Sequence, residues 1–264
     1  MSRIVWIVLM FCVLSGCQKT AQQESSALPK GADASQQAAD PDSRAFAGRA
    51  PIVESGNILV NPGFEAGLVD WKWLDWSKGW APYELSTTHA YEGLQSLHLP
   101  ILSKDRRQTV VWGGVKELTL PAEIPDCIEG YYFVENWETG NWKQYLQLVV
   151  IDLSHELGPD KGDAQLRNII SGSKEPPLSI SNAQYLFAEK ERRDVPGKGR
   201  WTKFSVTPSA DFMRSWNYKP LGGSTLRILF EGRFDKHATA VPARGDVYFD
   251  NLYFGPKTAT RCAD

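Results

Sequence analysis

Two segments of this chain alternate with a period of two, and that pattern limits what the chain can build. In 145–152, Leu146, Leu148 and Val150 share one face, while Tyr145, Gln147, Val149 and Ile151 share the other. In 226–234, Leu226, Ile228 and Phe230 point one way and Arg227, Leu229, Glu231 and Arg233 the other. Both read as strands that bury their aliphatic face. Long helical periodicity is scarce, and Gly, Pro and aromatic residues are plentiful, which favours an all-β architecture.

Further strands are expected at 58–60, 108–115, 118–120 and 131–137. Asn61-Pro62-Gly63 ends the first of these, because Pro lacks an N–H and Gly permits a positive φ. Phe64 follows as a large apolar anchor. Gly113-Gly114 separates the next two strands, and Glu138-Thr139-Gly140-Asn141 is the turn of a hairpin joining 131–137 to 145–152. From 154 to 200 the alternation weakens. Gly158-Pro159-Asp160, Pro176-Pro177 and Pro196-Gly197 punctuate that interval, and a short helix is expected only at about 182–193. The interval reads as a long, partly irregular insertion, and long structured loops in compact domains are usually functional.

The N-terminus has a different character. Met1-Ser2-Arg3 is basic, 4–13 is almost unbroken apolar sequence, and Leu14-Ser15-Gly16-Cys17 follows. An apolar run this short reads as a cleaved secretion signal and not a membrane span. Leu-Ser-Gly-Cys resembles the lipobox of bacterial lipoproteins, which implies that Cys17 becomes the acylated first residue and anchors the protein to a membrane. Residues 18–50 are rich in Gln, Ala, Ser and Asp and poor in large apolar residues, the composition of a disordered tether. Residues 51–264 then form one domain, carried on the cell envelope at the outer membrane and facing the periplasm or the surface. The net charge is −2 and no Lys/Arg block stands out, which argues against a nucleic-acid partner. Cys12 leaves with the signal and Cys17 carries lipid, so Cys127 and Cys262 remain to pair in an oxidising compartment.

Several strings lie in order along 57–254. Asn57-Ile58-Leu59-Val60-Asn61-Pro62-Gly63-Phe64-Glu65-Ala66-Gly67 opens the set. Ala90-Tyr91-Glu92-Gly93-Leu94-Gln95-Ser96-Leu97 and Trp201-Thr202-Lys203-Phe204-Ser205 follow. Val247-Tyr248-Phe249-Asp250-Asn251-Leu252 closes it. Together they resemble the carbohydrate-binding modules with a galactose-binding-like jelly roll, those of families 4, 9 and 22. The resemblance implies a jelly-roll β-sandwich that binds a poly- or oligosaccharide on a sheet face. It also implies a structural Ca²⁺ near the junction of first and last strands, with Glu65 and Asp250 among its oxygen ligands. The alternative is that these two carboxylates simply accept hydrogen bonds from neighbouring turns.

Sugar binding needs flat apolar faces and planar polar groups. Trp76, Trp80, Trp137, Trp142 and Trp216 are the candidate plates, and Gln147, Arg227 and Glu231 their polar companions. The plain alternative packs the indoles at strand ends and pairs Arg227 with Glu231. For catalysis, His89, His98, His155 and His237 are scattered, and neither an H-E-x-x-H nor a G-x-S-x-G motif is present. Glu231 with Asp235, or Glu135 with Glu138, are the carboxylate pairs a glycosidase would need. The sequence therefore favours a non-catalytic carbohydrate binder. A polysaccharide-cleaving hydrolase or lyase is the first rival, and a structural envelope lipoprotein with protein partners is the second.

Overall fold

The computed structural model describes residues 54–72, 80–102, 110–138, 144–158, 162–173, 180–188, 196–234 and 244–263. The signal segment, Cys17 and the tether lie outside the described residues. The strands β1 (Trp80–Ala81), β4 (Val110–Thr119), β6 (Gln144–Glu156), β7 (Asp163–Gly172), β8 (Ala183–Phe187) and β10 (Thr225–Phe234) form one sheet. Its six strands run in the order β1-β4-β10-β6-β7-β8. The strands β2 (Glu84–Ser86), β3 (Ser96–Leu102), β5 (Cys127–Glu138), β9 (Trp201–Val206) and β11 (Arg244–Gly255) form a five-stranded sheet in the order β2-β3-β11-β5-β9. The inner faces of the two sheets make one apolar core: a β-sandwich.

Leu146, Leu148 and Val150 of β6 and Leu226, Ile228 and Phe230 of β10 all lie in that core, on the faces the alternation assigned them. Facing them from the second sheet are Leu97, Leu99, Val134, Val247 and Phe249. Consecutive strands change sheets at every step except β2 to β3, β6 to β7 and β7 to β8. The expected hairpin of 131–137 with 145–152 is therefore corrected. β5 pairs with β11 and β9, and β6 with β10 and β7. A turn-like tetrapeptide says that the chain reverses, but not that the two strands share a ladder.

Three local readings also change. The break at Gly113-Gly114 is no break, because β4 runs through it. A Cβ at Gly113 would lie 2.8 Å from the Phe230 carbonyl oxygen, and one at Gly114 would lie 3.0 Å from Leu97. These glycines permit close approach within a strand. The segment expected to turn helical at 182–193 instead begins as β8, which pairs in parallel with β7; residues 189–193 lie outside the described set. Ladder bonds to β7, and Leu186 and Ala188 packed on the core, override its helical propensity. The interval 154–200 thus supplies two strands, β7 and β8, to the larger sheet. The helix among the described residues is α1 (Pro208–Trp216), which starts on Pro208 and buries Phe212 in the core.

The opening string does not form a strand of its own. It runs beside β11, with the Ile58 N–H donating to the Phe254 carbonyl at 2.8 Å and the Leu252 N–H to Pro62 at 3.1 Å. The positive φ values fall on Asn61 (53°), Phe64 (60°) and Gly67 (72°) rather than on Gly63. Phe64 holds this strained conformation because its ring is buried against Trp71, centroids 5.2 Å apart. Phe64 and Phe249 belong to the same core, so both ends of the folded region close one body.

Candidate functional site

The outer face of the six-stranded sheet is built by the polar half of the same alternation. One row across it, in strand register, is Gly113, Glu231, Gln147, Ile169 and Phe187. The next row is Val115, Leu229, Val149, Arg167 and Tyr185. Val115, Leu229, Val149 and Ile151 form a small apolar cluster on this side, so the face is a second packed layer and not a bare polar surface. Burial there is high under β6 and β10, where Gln147 is 0 % and Glu231 2 % exposed, and lower along β7 and β8, where Arg167, Tyr185 and Phe187 are half-buried.

Polar groups in a buried layer must be paired or must await a partner. The Gln147 side-chain Nε2 donates to Glu231 Oε2 in a short hydrogen bond. Only the amide nitrogen can donate to a carboxylate, so this bond fixes the orientation of the amide. It leaves Gln147 Oε1 buried without a hydrogen-bond partner among the described residues. Glu231 fits because Gly113 stands opposite it, where a Cβ would approach Glu231 Cγ to 3.3 Å. The Arg167 guanidinium is held by Gln165 Oε1, which accepts from Nε at 3.2 Å and Nη2 at 2.9 Å. Its Nη1 is buried and likewise unpartnered among the described residues. An amide, a carboxylate and a guanidinium, all planar, thus share this face; Arg167 stands next to Tyr185, while Gln147 and Glu231 lie two and three strands from β8.

The sequence candidates divide against this geometry. Gln147 and Glu231 come together as a pair. Arg227 lies on the same face but is engaged elsewhere, bonded to Glu117 at 2.7 Å through Nε and 2.6 Å through Nη2. It therefore makes no pair with Glu231. Trp137 is corrected: it points inward and is 3 % exposed in the core, because a bulge puts both Glu135 and Asn136 outside and turns the next residue in. Trp216 sits at the end of α1 and packs on the core, away from the sheet face. Trp76, Trp142 and Asp235 lie outside the described residues, as does the side chain of Trp80. Among the imagined catalytic carboxylates, Glu135 accepts from the Tyr248 hydroxyl at 2.9 Å. Arg167, Tyr185 and Phe187 were missed. The alternation of Gln165, Arg167 and Ile169 against Leu166, Asn168 and Ile170 was a legible signal for the first of them.

The opposite outer face, on the five-stranded sheet, carries its own aromatic row: His98, Tyr248, Phe133 and Trp201 in register. Here the ring faces are already taken. His89 stacks on Phe133 at 4.4 Å, Tyr91 on Tyr131 at 3.7 Å, and His98 on Tyr248 at 4.5 Å. This aromatic layer is filled by the chain itself.

Glu65 and Asp250 meet at one turn. Asp250 Oδ2 accepts from the Tyr91 and Glu92 N–H groups at 2.7 and 3.1 Å, and Oδ1 from Asn251 N–H at 2.6 Å. Glu65 Oε1 accepts from Leu94 and Gln95 N–H, both at 2.8 Å. The two carboxylates therefore act as acceptors that pin 91–95. Burial pushes the Asp250 carboxyl up to about 7; its backbone donors oppose the rise and the like charge of Glu65 adds to it. Two adjacent carboxylates, one fully buried, form a donor set that a hard cation fits by charge and by atom type, with backbone carbonyls needed to complete six to eight oxygens.

The disulfide of Cys127 with Cys262 forms, spanning 135 residues of sequence. Buried Glu129 beside it accepts from the Cys262 N–H at 2.6 Å and pairs with Lys203 at 2.8 Å and Arg261 at 3.2 Å.

No family model matches the sequence, and no curated protein is detectably similar to it. Solved structures overlay at low identity. The carbohydrate-binding module TmCBM61, solved in complex with β-1,4-galactotriose, superposes with a TM-score of 0.41 at 13 % identity, over 77 % of this chain and 100 % of its own. A module from the β-sandwich superfamily of carbohydrate-binding modules gives 0.37 at 11 % identity, over 76 % of this chain and 63 % of its own. The K1 adhesin domain of Lys-gingipain from Porphyromonas gingivalis W83 gives 0.38 at 11 % identity, over 74 % and 96 %. The class defined above, a two-sheet β-sandwich with a mixed polar and aromatic outer face, rests on this chain's own geometry.

Proposed function

We propose that this protein is a membrane-anchored envelope lipoprotein whose β-sandwich binds carbohydrate without cleaving it. The observation that carries the reading is the Gln147–Glu231 pair, buried on an outer sheet face with an unused amide oxygen; the rings of Tyr185 and Phe187 lie on the same face, on β8, two strands from Gln147. Hydroxyl groups of a sugar can donate hydrogen bonds, so they match the two acceptors here, a carboxylate and a free amide oxygen. The rings take the C–H side of a pyranose. The lipobox at Cys17 and the polar segment 18–50 support anchoring and reach.

The test is a polysaccharide panel by affinity electrophoresis and calorimetry, with reducing ends measured in parallel. Binding without release of reducing ends is expected; release would turn the reading to the enzyme. Glu231→Ala is expected to weaken binding roughly 10- to 100-fold, the value of a hydrogen bond to a charged group. Unchanged affinity in a folded Glu231→Ala protein would remove the pair from the site.

A Ca²⁺ at Glu65 and Asp250 belongs to the same proposal. Its role would be to neutralise the two carboxylates and stiffen the 91–95 turn against the end of the sandwich. Calcium added after chelation is then expected to raise the melting temperature of the protein by several degrees. It should leave Asp250→Ala unmoved. No shift in the unaltered protein would withdraw the metal.

A further inference from the structure

Arg167 is a charge on this face that the carbohydrate reading has not yet used. Its guanidinium is held on a neutral partner, Gln165 Oε1, by two of its nitrogens. The third nitrogen, Nη1, is buried and unpartnered among the described residues. Beside it stand Val149 in register on β6 and Tyr185 in register on β8, and Val149 continues away from it into the apolar cluster with Ile151, Leu229 and Val115. Two other cations lie on the same face of β10: Arg227, which is neutralised by Glu117, and Arg233, two residues beyond Glu231. A guanidinium fixed on an amide and set in an apolar layer is poised for an anion, since the charge-assisted bond it would make is short and roughly twice as strong as a neutral one.

Gln147 supplies the second observation. It is 0 % exposed, and its Oε1 lacks a partner among the described residues. Gln147 and Arg167 are diagonal neighbours on adjacent strands, because Val149 separates them by one outward step. Two unmade hydrogen bonds of opposite polarity, one charged, therefore sit within the reach of a single sugar unit.

We propose that the glycan bound here is acidic: a uronate whose carboxylate is held by Arg167 Nη1 and whose hydroxyls bond Gln147 Oε1 and Glu231. This rests on the carbohydrate reading of the same face and adds the class of sugar. Glu231 does not oppose it, because its carboxylate is bonded to Gln147 and lies two strands from Arg167.

Calorimetry on the full protein with trigalacturonate and with neutral galactotriose, each at low and high salt, tests this. The uronide is expected to bind roughly tenfold tighter at low salt, with the advantage shrinking as salt rises. Arg167→Gln is expected to bring the uronide-to-neutral ratio down to about one. Arg227→Gln removes an equal charge from the same face and is expected to leave the ratio where it was. Equal binding of the two sugars by the unaltered protein, a salt-independent ratio, or a preference that survives Arg167→Gln would each overturn the proposal. Collapse of the ratio in Arg227→Gln would overturn the assignment to Arg167. Neutral binding alone sinks the acidic class and leaves the carbohydrate reading standing; binding of neither sinks both. Should Arg167→Gln fail to fold, the sugar comparison and the salt titration on the unaltered protein decide the matter.

Discussion

Replacing both Cys127 and Cys262 with serine is expected to lower the melting temperature by roughly 10 °C or more. The bond closes 135 residues of sequence, and loops of that size restrict the unfolded chain by about 4–5 kcal/mol in the chain-entropy view. At roughly 2–4 °C per kcal/mol for a domain of this length, the fall is large. A local loss adds to it. The Cys262 N–H and the Arg261 guanidinium both bond Glu129, which is 1 % exposed. Once the C-terminal segment is free to leave, that buried carboxylate loses two of its donors and keeps Lys203 among the described residues. The measurement is a thermal melt of the oxidised protein, the reduced protein and the double serine variant. Reduced and substituted proteins should melt together, well below the oxidised one. A shift under about 3 °C would mean that the bridge restricts little.

Phe64→Ala is expected to cost about 3–5 kcal/mol in denaturant unfolding, near the upper end for a single core truncation. The Phe64 ring is fully buried and packs on Trp71, which in turn packs on Phe230 at 5.9 Å and so reaches the six-stranded sheet. Truncation leaves a cavity where the opening string meets the core. The backbone strain remains as well, since φ at 64 is 60° and alanine tolerates that no better than phenylalanine. Leu94→Ala is the comparison. Leu94 lies in the turn that Glu65 pins and is 56 % exposed, so its loss should cost less than about 0.5 kcal/mol. If the two variants unfolded at the same denaturant concentration, Phe64 would not be the anchor of this end.

The alternating stretches 145–152 and 226–234 determined much by themselves. Their period of two assigns each side chain to a face, and those assignments hold because a slip by one residue would expose Leu148 and Phe230 to water. The pairing of Cys127 with Cys262 was equally legible, by arithmetic on four cysteines and a compartment. Which strand lies beside which was not. Turn chemistry at 138–141 predicted a reversal, and only the competition among ladders decided that β5 and β6 join different sheets. The segment at 182–193 has helical propensity, yet its described start lies against β7 as a strand, because non-local hydrogen bonds and core contacts outweigh tenths of a kcal/mol per residue. The candidate site follows the same division. Gln147 and Glu231 could be named from their strands, since period places them outward. Their bond to each other, the loss of Trp137 to the core through a bulge, and the unpaired nitrogen of Arg167 depend on register between distant strands, which the tertiary structure alone sets.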